Sequence, residues 1–162
     1  MMSSNVSSKN PQSAIRNPQS KILYWLPPLL WMAAIFYFST DTFSGENTGS
    51  LLWRIISFVH PGVTEEQFSA IHFYLRKAAH FMEYALLALL LFRAFRAGAI
   101  TSWRWRWALG SWLIVVVYAL ADEYHQTFTR HRVGSIYDSL TDIAGGMSAL
   151  LALWLIRRRR GN

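Results

Sequence analysis

Residues 121–142 read ADEYHQTFTRHRVGSIYDSLTD, and this polar stretch separates two apolar segments. It carries four carboxylates, two arginines and two histidines. WALGSWLIVVVYAL precedes it and IAGGMSALLALWLI follows it, and neither segment contains a charged residue. Uncharged apolar segments on both sides of a short polar stretch predict two membrane-spanning helices joined by a loop.

The composition of the whole chain also favours a membrane protein. Its 162 residues suit one domain, with 52% hydrophobic and only 15% charged residues, against roughly 25% charged residues in soluble domains. The net charge of +7 is compatible with nucleic-acid binding, but the basic residues cluster beside apolar segments and no nucleic-acid-binding motif is visible. We therefore expect the lipid bilayer, and not nucleic acid, as the partner. Cysteine is absent, which excludes disulfides and cysteine-based zinc sites.

Four apolar segments predict an all-α integral membrane bundle of four transmembrane helices. At about 1.5 Å per residue the first covers about 26 Å, close to the thickness of a bilayer core, and Pro27 and Pro28 are expected to start or kink its helix. The last two reach spanning length only if the helices continue into their polar flanks. The segments are Ile22–Phe38, Ala78–Phe95, Trp107–Ala121 and Ile143–Ile156.

The segment between the first two spans is predicted to hold a short helix in the outer membrane interface. LLWRIISFV, residues 51–59, places its aliphatic side chains on one helical stripe. Pro61 and Gly62 end it, and Thr64-x-x-Gln67 is a capping box for a helix that runs into the second span. We divide the chain into a disordered cytoplasmic tail (1–20), a transmembrane domain (21–157) and a basic cytoplasmic tail (158–162).

The charges predict the orientation of the bundle. The positive-inside rule is satisfied if both termini are cytoplasmic, since eleven of the sixteen basic residues then lie inside. All nine acidic residues would lie in outer loops or at outer helix ends. We expect a multi-pass protein of the bacterial inner membrane whose reactive side chains face away from the cytoplasm.

Polar residues enter the membrane from the outer side on three predicted spans. Lys77, His80 and Tyr84 share one face of the second span, with Glu83 bordering that face. On the third, Asp122 and Gln126 are four residues apart and His125 lies beside them, whereas Glu123 is expected to point elsewhere.

The fourth span contributes two further carboxylates. Asp138 and Asp142 stack one turn apart, Gly145 lies one turn deeper and permits close helix approach, and Ser135 is predicted to cap the helix. Arg132, in the preceding loop, is placed to join them. These groups could simply form ion pairs that hold the helices together, such as Lys77 with Glu83. Because many polar groups converge on one layer, a functional pocket is the alternative.

Two chemistries suit such a pocket. Paired ligands in His80-x-x-Glu83 and Asp122-x-x-His125 could hold metal ions, as in helical bundles. Lys77 and Arg132 would repel a dication, so we rank metal-free acid–base chemistry first and expect no metal and no cofactor.

The chain resembles the VanZ-like family of bacterial membrane proteins. The resemblance rests on KAAHFMEYALLALLLFRAF (77–95), on DEYHQ (122–126) and on HRVGSIYDSLTDIAGG (131–146). Ser39 is similar to an N-terminal serine of the family, whereas Arg130 and His131 stand where relatives often have Pro-Gly. The resemblance implies a small multi-helix membrane protein and a link to glycopeptide (teicoplanin) resistance.

Three functions are therefore open. The first is an enzyme-like pocket for an anionic envelope lipid, a lipid-linked cell-wall precursor or a glycopeptide. A non-catalytic binding or accessory protein is the second and an ion-coupled transporter the third. In the first, the proton-moving residues are His80, Glu83, Asp122 and His125. The substrate-binding residues are Lys77, Tyr84, Gln126, Arg132, Asp138 and Asp142.

Overall fold

The computed structural model describes residues 18–40, 45–99, 103–128 and 135–160, and in these ranges all regular secondary structure is helical. This agrees with the predicted all-α class. The helices in chain order are α1 (Pro18–Phe38), α2 (Gly45–Val59), α3 (Glu65–Arg96), α4 (Trp105–Gln126) and α5 (Ile136–Arg159). Pro27 and Pro28 lie inside α1 and do not start it. The predicted short helix between the first two spans is present as α2.

Of the helices in the described ranges, three are long and apolar enough to cross a membrane, namely α1, α3 and α5. α4 has 22 residues, but only a short uncharged segment separates Arg106 from Asp122. The structure therefore supports a membrane protein and three of the four predicted spans directly.

Local signals explain why α3 is 32 residues long and begins well before the predicted span. The Thr64 side chain accepts a hydrogen bond from the Gln67 backbone N–H, and the Gln67 side chain accepts one from the Thr64 N–H. This is the predicted capping box, and it satisfies two free donors of the first turn. The helix ends at Ala97, which has a φ of 44°, followed by Gly98 with a φ of 77°.

α3 is the centre of the bundle and packs against α1, α4 and α5, while α2 contacts it along a short segment. α3 and α5 approach so closely that a Cβ on Gly145 would overlap the backbone carbonyl oxygen of Phe81. A Cβ on Gly146 would lie 2.8 Å from Val115 Cγ1 of α4. The two glycines let α5 pack closely against α3 and α4. The sequence predicted that glycine here would permit close helix approach.

Candidate functional site

Polar side chains gather where the ends of α1 and α4 and the start of α5 meet the middle of α3. We call this set the polar layer. Most of its side chains are buried although they are polar or charged, which is costly unless they are paired. Its members are Ser39, Arg76, Lys77, His80, Glu83, Tyr84, Asp122, Glu123, Gln126, Asp138 and Asp142.

A histidine–carboxylate pair joins α3 to α5. His80 Nδ1 lies 3.2 Å from Asp142 Oδ1, and both side chains are buried. The second carboxylate oxygen, Asp142 Oδ2, is also buried and has no hydrogen-bond partner among the side chains that the structure describes. His80 and Asp142, which the sequence predicted to converge from separate helices, are therefore in contact.

Asp138 pairs with two cations of α3, one turn nearer the N-termini of α3 and α5 than the His80–Asp142 pair. Arg76 Nη2 lies 2.7 Å from Asp138 Oδ2, and Lys77 Nζ binds Asp138 Oδ1. The expected alternative, an ion pair between Lys77 and Glu83, gives way to this one because α5 brings Asp138 to the face that Lys77 occupies. Lys77, predicted to hold an anion, is thus engaged by a carboxylate of the protein itself.

A second hydrogen-bonded group joins α1 to α4. Ser39 Oγ donates to Asp122 Oδ2 at 2.6 Å, and Gln126 Nε2 donates to the same oxygen at 3.1 Å. Gln126 Nε2 also lies 3.3 Å from Ser39 Oγ. Ser39 was placed near the site only by family resemblance, since it is distant in sequence from every other member of the layer.

Glu123 is a correction to the sequence analysis, which expected it to point elsewhere. It is buried, and its Oε2 accepts a hydrogen bond from the Ser135 backbone N–H at 2.6 Å. Glu123 thus ties the end of α4 to the start of α5. Ser135 is the N-cap residue of α5, as predicted, but its side chain makes no capping hydrogen bond.

Several oxygen atoms in the layer are buried without a partner in the described ranges: Asp122 Oδ1, Glu123 Oε1, Asp142 Oδ2 and the Tyr84 hydroxyl. The Tyr84 side chain, on the same helix as His80, is fully buried. An unsatisfied buried polar group costs about 1–3 kcal/mol. Water or a ligand that donates hydrogen bonds would satisfy the carboxylate oxygens.

A cavity of about 480 Å³ opens onto the layer between α1, α2 and α3. Ser39, Arg76, His80 and Glu83 form its polar floor. Aliphatic side chains form its walls, chiefly Leu51, Leu52 and Ile55 of α2 and Leu75 of α3. The cavity therefore combines an apolar wall with hydrogen-bonding groups, which suits an amphipathic ligand.

Two predicted site residues are not in the hydrogen-bonded layer as described. The His125 ring packs on Phe36 with ring centroids 4.5 Å apart, and its buried Nδ1 has no hydrogen-bond partner among the described side chains. It therefore faces α1 and does not bond Asp122. Arg132 lies outside the described residues. Within those residues, no three His, Asp or Glu side chains are grouped closely enough to hold a metal ion.

Comparison with protein families identifies a family for the chain. A model of the VanZ/LLP1 family matches residues 24–157, which is most of the chain and includes every helix that contributes to the polar layer. This agrees with the resemblance noted in the sequence. No curated protein and no solved structure matches the chain.

Proposed function

The chain belongs to the VanZ/LLP1 family, and we propose that this membrane protein binds a lipid-anchored molecule of the bacterial cell envelope, with the headgroup at the polar layer. The observation that carries the proposal is the cavity at the layer, whose floor is polar and whose walls are aliphatic. A polar, water-soluble ligand would gain little from contact with aliphatic walls. An acyl or prenyl chain would bury apolar surface against them.

The charges of the floor suggest the kind of headgroup. Among the described residues, Arg76 binds Asp138 through Nη2, and its side chain remains 42% exposed. Its other guanidinium nitrogens can hold a phosphate. The Ser39, His80 and Glu83 side chains, which line the same cavity, can form hydrogen bonds with hydroxyl or ammonium groups. A lipid-linked phosphosugar, with an anionic linkage and many hydroxyl groups, presents both features and is the class we propose.

The proposal includes four spans with both termini in the cytoplasm of a bacterial inner membrane. α4 has 22 residues, and a helix of that length covers about 33 Å, enough for a bilayer core. In this arrangement eleven of the sixteen basic residues lie on the cytoplasmic side, whereas all nine acidic residues lie on the opposite side. Under the positive-inside rule this charge distribution supports an extracytoplasmic position for the polar layer.

A second candidate function, acid–base turnover of the bound molecule, is favoured by the His80–Asp142 pair. His80 lines the cavity, and its Nδ1 contacts the Asp142 carboxylate. A carboxylate in that position orients an imidazole so that its other nitrogen can exchange a proton with a ligand. Conversion of a labelled lipid-linked phosphosugar by the purified protein, lost in His80→Gln, would establish turnover.

Native mass spectrometry of protein extracted in mild detergent tests the binding proposal. We expect a co-purified lipid-linked molecule with the wild type and at least a ten-fold lower bound fraction in His80→Gln. His60→Gln is the matched control, because His60 is exposed in the loop between α2 and α3. Equal lipid retention in the wild type and both variants would overturn the proposal.

A further inference from the structure

On the side of the bundle away from the polar layer lies a second groove, formed by the start of α4 and the middle of α5. Its volume is about 450 Å³. The lining is almost entirely apolar and includes Trp103, Trp105 and Trp112 together with Leu150 and Leu151. We call it the tryptophan groove. It belongs to neither the cavity nor the hydrogen-bonded groups described above.

Arginines frame the groove. Arg106 is one of its lining residues. The Trp105 and Trp154 rings lie 5.7 Å apart, and the Arg158 guanidinium stacks on Trp154 at 5.4 Å from the ring centroid. Arg106 and Arg158 therefore flank a row of indole rings. α4 also begins here without a side-chain cap, so the partial positive charge of its N-terminus adds to theirs.

No carboxylate of the helices is available to neutralise these cations. The sequence contains no Asp or Glu in residues 1–40, 84–121 or 143–162, and the described residues at this end of the bundle fall within these ranges. The guanidinium groups at this end stack on aromatic rings instead, as Arg104 does on Trp107 at 5.2 Å. An apolar groove with uncompensated positive charge at its mouth is complementary to an acyl chain attached to an anion.

We propose that the tryptophan groove binds an anionic phospholipid, whose phosphate contacts Arg106 and Arg158 and whose acyl chain lies along Leu150 and Leu151. Basic pockets between membrane helices hold anionic headgroups by this combination of charge and apolar surface. Indole rings suit the boundary between headgroup and chain. The site is independent of the polar layer and of the function proposed for it.

Quenching of tryptophan fluorescence by brominated lipids tests the site directly, since bromine quenches indoles in contact with it. The protein is reconstituted in phosphatidylcholine vesicles that contain either brominated phosphatidylglycerol or brominated phosphatidylcholine at the same mole fraction. We expect brominated phosphatidylglycerol to quench more strongly. Each arginine should contribute about five-fold to the relative binding constant, so Arg106→Gln with Arg158→Gln should abolish the preference.

The matched control is Lys21→Gln with Arg93→Gln, which removes two charges at the same end but away from the groove, on α1 and α3. It should keep the preference, as should His80→Gln in the polar layer. Leu151→Phe narrows the groove without changing its charge and should weaken the preference. Native mass spectrometry of the same proteins should show phosphatidylglycerol retained on a monomer.

Four results would overturn the proposal. One is equal quenching by the two lipids, and another is an equal loss of preference in the Lys21/Arg93 control, which would indicate a general surface-charge effect. A third is displacement of the lipid by inorganic phosphate, which would mean that the groove contributes nothing. The fourth is a dimer in native mass spectrometry that Leu151→Phe dissociates, since a second copy would then occupy the groove.

Discussion

At the scale of single residues, Asp138 illustrates how the layer is held together. Its side chain is 3% exposed and binds both Arg76 and Lys77 of α3. Asp138→Asn would leave these two cations without a compensating charge. Because both are partly exposed, we expect a loss of about 2 kcal/mol in the free energy of unfolding, less than for a fully buried pair. Thermal unfolding in detergent measures the change.

Glu66→Gln is the control for that experiment. It also removes one carboxylate, but Glu66 is exposed in the first turn of α3, so its effect should stay below about 1 kcal/mol. If Asp138→Asn were no more destabilising than Glu66→Gln, the ion pairs of Asp138 would not contribute to holding α3 and α5 together.

The sequence predicted part of this layer for a clear physical reason. Lys77, His80 and Tyr84 repeat at helical spacing, as do Asp138 and Asp142, so each set had to share a face of its own helix. Spacing within one helix does not determine how the chain returns from the next one. For that reason the bond from Ser135 to Glu123, and that from Ser39 to Asp122, were not predicted.

At the scale of helices, Gly145 sets the distance between α3 and α5. A methyl group there would overlap the carbonyl oxygen of Phe81, which is backbone and cannot rotate away. We expect Gly145→Ala to push the helices apart and to destabilise the protein by about 1–3 kcal/mol. The same displacement would lengthen the His80–Asp142 contact, so retention of the co-purified lipid should fall as well.

Gly62→Ala provides the comparison, since a Cβ at Gly62 meets no atom within 4 Å. It should leave both the unfolding midpoint and lipid retention close to the wild-type values. Tolerance of Gly145→Ala to the same degree would show that α3 and α5 are not in close contact at this point.

The sequence predicted the positions of the spanning helices, but several of the observed helices extend beyond the predicted bounds. All four predicted spans lie within observed helices, because apolar segments of that length leave few alternatives. α3 extends to Glu65 because its capping box lies far from its apolar segment. α4 continues through Gln126 because its polar last turns pack inside the bundle, where Asp122 and Gln126 are buried.

At the scale of the whole molecule, the absence of cysteine allows the topology to be mapped directly. Single cysteines at Gly62 and Thr127 should react in intact cells with a maleimide that cannot cross the membrane. Cysteines at Arg104 and Arg160 should react only after the membrane is permeabilised. Labelling of positions 104 and 127 from the same side would show that α4 does not cross, and would contradict the four-span arrangement.

The central claim is that a specific lipid-anchored molecule occupies the cavity at the polar layer. Photo-crosslinking in native membranes tests it most directly, with a photoreactive amino acid at Leu52, which lines the cavity, or at Leu113, which is exposed on α4. The account predicts that position 52 captures one class of lipid-linked phosphosugar, absent at position 113 and lost in Asp142→Asn. Capture of the same bulk phospholipids at both positions would contradict it.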